Sequence, residues 1–270
     1  MEQNDPIEQS VLNAELVSPE SLWTNLQVVP ETGSTNADLA DAARGGAPHG
    51  SVLVTGYQSA GRGRMGRSWT APSGSSIAMS VLLRPEVPAQ RWTWLPLLTG
   101  LAVSDGLRQQ CDLPAELKWP NDVMVLDRKI SGVLAERVDT PTGPAVVLGM
   151  GINVSLTPEQ LPVPSATSVE IALADLGVAG VPVSRNALIS TVLRSLERIL
   201  RHWSDVSDDT GTALAYRERC VTIGRQVRLE LGDGTAVEGR AEDIDDVGRL
   251  VLATGEGART VGAGDVVHLR

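Results

Sequence analysis

The sequence predicts an α+β protein in which a mixed sheet with helices is followed by a small all-β domain. Up to about residue 203, apolar segments rich in β-branched residues alternate with segments of helical periodicity. Such alternation is typical of a sheet covered by helices. After about residue 220, only short alternating segments separated by turn residues remain, which predicts a small β-barrel-like domain.

The elements of the first domain follow from apolar runs, helical periodicity and capping residues. The predicted strands are 26–32, 51–58, 76–85, 115–119, 129–138 and 144–154. Four helices are predicted. The first two are 34–44, capped by Ser34, and 89–110. The third starts at a capping box formed by Thr167 and Glu170 and ends near Gly177, and the fourth runs from Ser184 to about Trp203. Turns at Pro120-Asn121-Asp122 and Asp127-Arg128 separate the last three strands.

Three regions are expected along the chain. Residues 1–25 carry weak patterning and form a loosely attached arm or a short helix. Residues 26–219 form the large domain, and residues 220–270 form the small β domain, where Asp233-Gly234 marks a hairpin turn.

Composition excludes several classes of protein. The net charge of −10 argues against a dedicated nucleic-acid binder. No apolar run reaches the roughly 20 residues that a membrane helix needs, and the polar N-terminus does not resemble a secretion signal. Cys111 and Cys220 are expected to be reduced and buried in a cytosolic protein.

The segment GRGRMGRSW (61–69) is the most informative part of the chain. Glycine allows close approach of the backbone to a ligand, and arginine donates bidentately to carboxylates and phosphates. Because the segment follows a predicted buried strand, it favours a loop that binds a small polyanion. A solvated basic loop and an RGG-like nucleic-acid contact remain open from this segment alone.

Two further stretches of the chain carry candidate binding residues, and the first of them consists of two neighbouring segments. KWPNDV (118–123) and RKISGVLAE (128–136) contain the only two lysines of the chain, Lys118 and Lys129, and a lysine is suited to a phosphate or carboxylate oxygen. GMGINV (149–154) again combines glycines with an amide. Taken singly, the first segment also fits a simple turn with exposed lysines, and the last fits a strand end weakened by glycine.

Together these motifs resemble the biotin–protein ligases. GRGRxGR is met at 61–67 with Trp69 after it, KWPND at 118–122, and the family's lysine, glycine and glutamate at Lys129, Gly132 and Glu136. Ser34-Thr35-Asn36 and Gln58 also match, and the resemblance runs from about residue 26 to the C-terminus. It implies a sheet like that of class II aminoacyl-tRNA synthetases with a C-terminal SH3-like barrel. The implied activity is ATP-dependent formation of biotinyl-5′-AMP and transfer of biotin to a lysine.

The resemblance also implies a role for individual residues. The biotin pocket would be lined by Ser34, Thr35, Asn36 and Gln58, while Arg62, Gly63 and Arg64 close over the adenylate. Lys129 would face the biotin carboxylate and the α-phosphate, Lys118 the phosphates, and Arg67, Trp69, Asn121 and Asn153 the ATP. Gly132, Gly149 and Gly151 would allow close approach of the ligands. The catalytic candidates are Arg64, Lys129, Lys118 and Asp122, the last to orient or deprotonate the acceptor amine.

The expected cofactor and partners follow from the same resemblance. They are ATP, biotin as substrate, Mg²⁺ without assigned ligands, and the biotin carboxyl carrier domains of acyl-CoA carboxylases. The enzyme is expected in the cytoplasm as a monomer or weak homodimer. About 25 residues precede the large domain, too few for the helix-turn-helix of repressor relatives, so no DNA binding is expected. The alternatives are a lipoate–protein ligase and a ligand-sensing repressor.

Overall fold

The computed structural model describes residues 5–178, 180–205 and 209–269, which form two sheets with helices packed on the larger one. The helices are α1 (Gln9–Leu16), α2 (Thr35–Arg44), α3 (Leu95–Cys111), α4 (Val169–Asp175), α5 (Arg185–Asp205) and α6 (Thr210–Arg217). The strands of the larger sheet are β1 (Asn25–Val29), β2 (Ser51–Thr55), β3 (Ser76–Leu83), β4 (Glu116–Lys118), β5 (Asp122–Val125), β6 (Arg128–Thr140) and β7 (Gly143–Asn153). The smaller sheet holds β8 (Gln226–Glu230), β9 (Ala236–Ile244), β10 (Leu250–Thr254), β11 (Gly257–Val261) and β12 (Asp265–His268).

The larger sheet is mixed, as the sequence predicts. Its strand order is β1-β2-β3-β7-β6-β5-β4. Strands β1 and β2 run parallel, whereas the remaining neighbours are antiparallel. The long pair β6 and β7 therefore lies near the centre, and α2 and α3 pack against both strands. Strand β7 is mostly buried, whereas many residues of β6 are only partly buried.

Apolar packing fixes the helices on this sheet. Helices α3 and α5 contribute buried leucines and valines to the main core on one face, together with Trp94 and Trp203. On the other face, Leu39, Ala40 and Ala43 of α2 pack on Leu53, Leu82 and Val147. Ser34 caps α2 by accepting a hydrogen bond from the Ala37 amide, as predicted. This cap fixes the start of α2, where three predicted binding residues lie.

Three local predictions are corrected by the structure, and one helix, α6, was not predicted. Asp122, expected in a turn, is the first residue of strand β5, which is only four residues long. The long helix begins at Leu95 after a 3-10 segment, with Pro96 in its first turn, where a missing amide costs nothing. Helix α4 is capped by Ser168 rather than Thr167, because the Ser168 hydroxyl accepts from the Ile171 amide.

The N-terminal region contains the short helix α1, one of its two predicted forms, and packs more closely than a loose arm. Leu12 of α1 and Trp23 are fully buried against α5, and Trp23 Nε1 donates to the Leu193 carbonyl at 3.2 Å. The Gln9 side chain accepts from the amide of Val28 in the edge strand β1 at 2.9 Å. The described part of the region is thus joined to the large domain.

The five-stranded antiparallel sheet, with the order β11-β10-β9-β8-β12, agrees with the predicted small all-β domain. The turn between β9 and β10 packs this sheet against the larger domain. Trp94 Nε1 donates to the Asp246 carbonyl at 2.9 Å, and Trp119 Nε1 donates to the Gly248 carbonyl at 3.0 Å. Two buried tryptophans therefore hold this sheet in a fixed place beside the end of β4.

The cysteines behave as expected, since Cys111 and Cys220 are both buried and unpaired. Burial raises the pKa of the Cys111 thiol to about 11, so it stays protonated at neutral pH. Within the described ranges, no helix combines the length and apolar character needed to cross a membrane.

Candidate active site

One cleft of about 520 Å³ brings the three motifs together. It opens between the larger sheet and strand β12 of the small domain. Its lining includes every binding or catalytic residue expected from the sequence: Ser34, Thr35, Asn36, Gln58, Arg62, Gly63, Arg64, Arg67, Trp69, Lys118, Asn121, Asp122, Lys129, Gly132, Gly149, Gly151 and Asn153. Segments that lie up to 119 residues apart in the chain thus converge on one site.

The start of α2 forms a buried polar wall of this cleft. The amide and hydroxyl of Thr35 both donate to Gln58 Oε1, at 2.8 and 3.1 Å. The Ser80 hydroxyl on β3 lies 2.7 Å from Thr35 Oγ1. Because these groups satisfy one another, the wall holds its shape while its remaining donors and acceptors face the cleft.

Asn36 is the most constrained residue of this wall. Its amide nitrogen donates to Glu136 Oε2 at 2.8 Å, and its Oδ1 lies 2.6 Å from the Ser80 hydroxyl. A Cβ at Gly149 would lie only 2.1 Å from Asn36 Oδ1, so glycine is required on β7 at this point. Glu136 also pairs with Arg62 at 3.1 Å and thereby joins the wall to the glycine-arginine loop.

The glycine-arginine loop folds back on itself as a tight hairpin. The Gly63 amide donates to the Arg67 carbonyl at 2.7 Å, and the Trp69 amide donates to the Gly61 carbonyl at 2.9 Å. A Cβ at Gly61 would lie 2.4 Å from the Trp69 carbonyl oxygen, which explains why glycine stands there. Met65 at the tip is exposed and has a φ of 53°, a conformation unusual for a side chain of its size.

The Trp69 indole lies on the paired glycines of the central strands. Gly132 on β6 is opposite Gly151 on β7, and a Cβ at Gly151 would lie 2.5 Å from Trp69 Cε2. The indole Nε1 is buried and has no hydrogen-bond partner among the described atoms. A buried N–H without an acceptor costs free energy, so this donor is suited to an acceptor on a ligand.

Two lysines and a carboxylate face the glycine-arginine loop from β4, β5 and β6. Lys129 Nζ lies 2.5 Å from Asp122 Oδ1. Burial lowers the pKa of Lys118, and the nearby carboxylate of Asp122 partly opposes that shift. The site therefore holds more positive charge than its own carboxylates neutralise at short range, which favours an anionic ligand.

Arg64 and Arg67 meet residues from both domains. Arg64 Nη1 donates to Asn121 Oδ1 at 2.9 Å and to the Gly264 carbonyl at 3.3 Å. Arg67 Nη2 donates to Asp265 Oδ1 at 2.8 Å. Burial lowers the pKa of Arg64, and Asp265 acts in the opposite direction. Asn153 is less available than expected, because its amide nitrogen donates to the Thr167 carbonyl at 2.9 Å.

Some residues in or behind the cleft were not assigned a role from the sequence. Ser80 and Glu136 support the wall from behind, within predicted strands, and Glu230, Asp265 and Val266 of the small domain line the cleft. The segment between β7 and α4 contributes Pro162 and Val163, which supply aliphatic rather than aromatic lining. Only Glu136 carried a signal in the sequence, as part of the motif that follows Lys129.

Comparison with known proteins agrees with this geometry. The family model described as Biotin/lipoate A/B protein ligase family matches residues 28–153, and the model described as Biotin protein ligase C terminal domain matches residues 222–269. The chain is thus a ligase of the biotin and lipoate class, with a mixed sheet, an attached β domain and a cleft lined by arginines, lysines and buried amides.

Individual relatives narrow this class. The biotin–[acetyl-CoA-carboxylase] ligase of Mycobacterium tuberculosis is 46% identical, over 98% of this chain and 97% of its own length. The bifunctional ligase/repressor BirA of Bacillus subtilis is 32% identical, over 86% of this chain and 70% of its own length. A solved biotin protein ligase from Aquifex aeolicus, in complex with biotin and ATP, has a TM-score of 0.74 and 28% identity, covering 92% of this chain and 100% of that chain. The chain belongs to the biotin–protein ligases.

Proposed function

We propose that this enzyme activates biotin with ATP to biotinyl-5′-AMP and transfers the biotin to a lysine of a biotin carboxyl carrier domain of an acyl-CoA carboxylase. The observation that carries the proposal is the convergence of the glycine-arginine loop, the KWPND turn and Lys129 in one cleft. The name of the Mycobacterium tuberculosis relative, which specifies acetyl-CoA carboxylase, supports the choice of acceptor.

Biotin binding is assigned to the buried wall. Ser34, Thr35, Asn36 and Gln58 offer amides and hydroxyls, and hydrogen bonds among them or to neighbouring residues hold them in place. Such preorganised groups suit a neutral polar ring, because few rotamers need to be fixed on binding. The biotin carboxylate would then point to Lys129, whose ammonium group is held by Asp122.

The first step needs charge stabilisation and no base. The biotin carboxylate is ionised at neutral pH, its oxygen attacks the α-phosphorus of ATP, and pyrophosphate leaves. Lys129 and Arg64 would offset the repulsion between the two anions and stabilise the charge that develops at the α-phosphate, with Lys118 near the departing phosphates. Arg67, Trp69, Asn121 and Asn153 would hold the remainder of the nucleotide, while Arg62 and Gly63 would close with Arg64 over the adenylate.

The second step needs an unprotonated amine. The acceptor lysine has a reference pKa of about 10.4, so it must lose a proton before its nitrogen attacks the acyl carbon and AMP leaves. Asp122 is the proposed residue that orients or deprotonates this amine. Its 2.5 Å contact with Lys129 gives it a second role, that of holding Lys129 in the cleft.

Magnesium fits this site as a partner of ATP rather than as an ion in a protein cage. Among the residues that the structure describes, no group of three His, Cys, Asp or Glu could hold a metal ion. The cleft carboxylates Asp122, Glu230 and Asp265 each lie within 4 Å of a cationic side chain. Magnesium commonly keeps several waters and binds substrate phosphates, and there it would offset phosphate charge.

The decisive experiment is transfer of biotin to a purified biotin-carrier domain. Wild-type enzyme should label the carrier only when biotin, ATP and Mg²⁺ are all present, and a carrier whose acceptor lysine is replaced by arginine should stay unlabelled. Lipoate in place of biotin should give no transfer. Transfer of lipoate alone would replace this proposal by the lipoate–protein ligase alternative.

The cellular setting is part of the same proposal. We expect an enzyme that acts in the cytoplasm as a monomer or weak homodimer and does not bind DNA. The charge of −10 supports the last expectation.

A further inference from the structure

The first residue of the last strand brings a carboxylate from the small domain into the cleft. Asp265 begins β12 and is opposite Glu230 on β8. The preceding Gly264 has a φ of +155°, and a Cβ there would lie 2.9 Å from the Glu230 carbonyl oxygen. The tight packing of this glycine fixes the backbone from which Asp265 projects.

This carboxylate meets both arginines near the tip of the glycine-arginine loop. Arg67 Nη2 lies 2.8 Å from Asp265 Oδ1, and Arg64 Nη1 lies 3.8 Å from the same oxygen. The Asp265 side chain is only 23% exposed, so the contact is screened less than a surface ion pair. The adjacent Gly264 carbonyl accepts a further bond from Arg64.

We infer that Asp265 is a positioning residue that holds Arg64 and Arg67 in place for the nucleotide before it binds. This inference rests on the proposed function. The loop is glycine-rich, and two arginines three residues apart repel each other, so ordering it is costly without a counter-charge. Asp265 supplies that counter-charge from the other domain.

The geometry favours positioning over competition with the nucleotide. The contact uses one nitrogen of Arg67 and leaves its side chain 58% exposed. The closest bonds of Arg64 go to neutral oxygens of Asn121 and Gly264 rather than to Asp265. Both guanidinium groups can therefore donate to a phosphate while Asp265 stays in contact.

The test is the ATP dependence of biotinyl-5′-AMP formation in Asp265→Asn. The KM for ATP should rise about threefold to tenfold, as expected for loss of a partly buried charged hydrogen bond, with kcat changed by less than about twofold. Asp265→Glu should recover part of the loss. Glu238→Gln removes the same charge from an exposed site on β9 and should match wild type.

Two further measurements separate positioning from a general structural effect. Without ligands, amide exchange across 61–69 should be faster in Asp265→Asn than in wild type or Glu238→Gln. In an Arg67→Gln background, Asp265→Asn should raise the KM for ATP by less than it does in wild type.

The results that overturn the inference are distinct from failure of the function. An unchanged KM for ATP in Asp265→Asn, with unchanged loop exchange, would remove the positioning role. A lower KM would show instead that the carboxylate competes with the nucleotide. If wild-type enzyme in the same assay forms no biotinyl-5′-AMP, the proposed function itself is wrong.

Discussion

Gly149→Ala tests the buried wall of the cleft most directly. The added Cβ would lie 2.1 Å from Asn36 Oδ1, so the amide must retreat by about 1.3 Å to reach an ordinary contact distance. Asn36 is 3% exposed and cannot retreat without losing its bonds to Ser80 and Glu136. Overpacking costs about 1–3 kcal/mol, and each buried group left unpaired costs about 1–3 kcal/mol.

With one overpacked contact and one unpaired group, the expected loss of stability is about 2–6 kcal/mol. For a protein of this size, that corresponds to a fall in Tm of about 4–24 °C, measured by thermal unfolding. Biotin affinity should fall about tenfold or more, since each 1.4 kcal/mol is a factor of ten, measured by calorimetry. Gly33→Ala is the matched control, because a Cβ there meets nothing within 4 Å.

A double variant separates steric conflict from other effects. If Asn36 causes the damage, Gly149→Ala should cost far less in an Asn36→Ala background, where the amide is absent. Equal Tm and biotin affinity for Gly149→Ala and Gly33→Ala would refute the reasoning. So would an undiminished cost in the Asn36→Ala background.

Three further outcomes are expected. Arg64→Gly should weaken retention of the adenylate more than it slows its formation, so that bystander proteins become biotinylated; labelling no higher than that of wild type would contradict this. Lys118→Met should unfold at an equal or higher temperature, because burial of the ammonium is unfavourable, yet bind ATP more weakly; unchanged ATP affinity would remove Lys118 from the phosphate site. Incubated with biotin and ATP but no acceptor, the enzyme should label itself very little. The reason is that bound phosphates should raise the pKa of Lys118 and so oppose the lowering of that pKa by burial. Substantial labelling of Lys118 or Lys129, found by mass spectrometry, would contradict this.

The fold could be predicted where one segment alone carried the signal. The apolar runs at β2, β3 and β7 and the periodicity of α5 each appear within a few residues of their predicted bounds. Strand β5 could not be recognised, because its four residues are too few to show a period. The close packing of α1 was also missed, since its weak amphipathic pattern is completed by Trp23 and by α5.

The residues of the site could likewise be predicted only where a single segment carried the signal. Each motif is one continuous segment of the sequence, so the residues within it were named in advance, and their individual roles stay predictions. Asp265 was missed because its importance lies in contacts with Arg64 and Arg67, 198 residues or more away. Ser80 was missed because a buried serine in an apolar strand carries no sign of what its hydroxyl contacts.

The N-terminal arm has a consequence for solubility. Strand β1 ends the larger sheet, and an uncovered edge strand can pair with another chain and start aggregation. Gln9 accepts from the Val28 amide on that edge, while α1 covers apolar surface beside it. A shortened protein that starts at residue 28, where the family match begins, would lose α1, the buried Trp23 and most of β1, and β2 would then become an uncovered edge strand. Expression of the intact N-terminal region should therefore matter more for keeping the enzyme monodisperse than for the chemistry in its cleft.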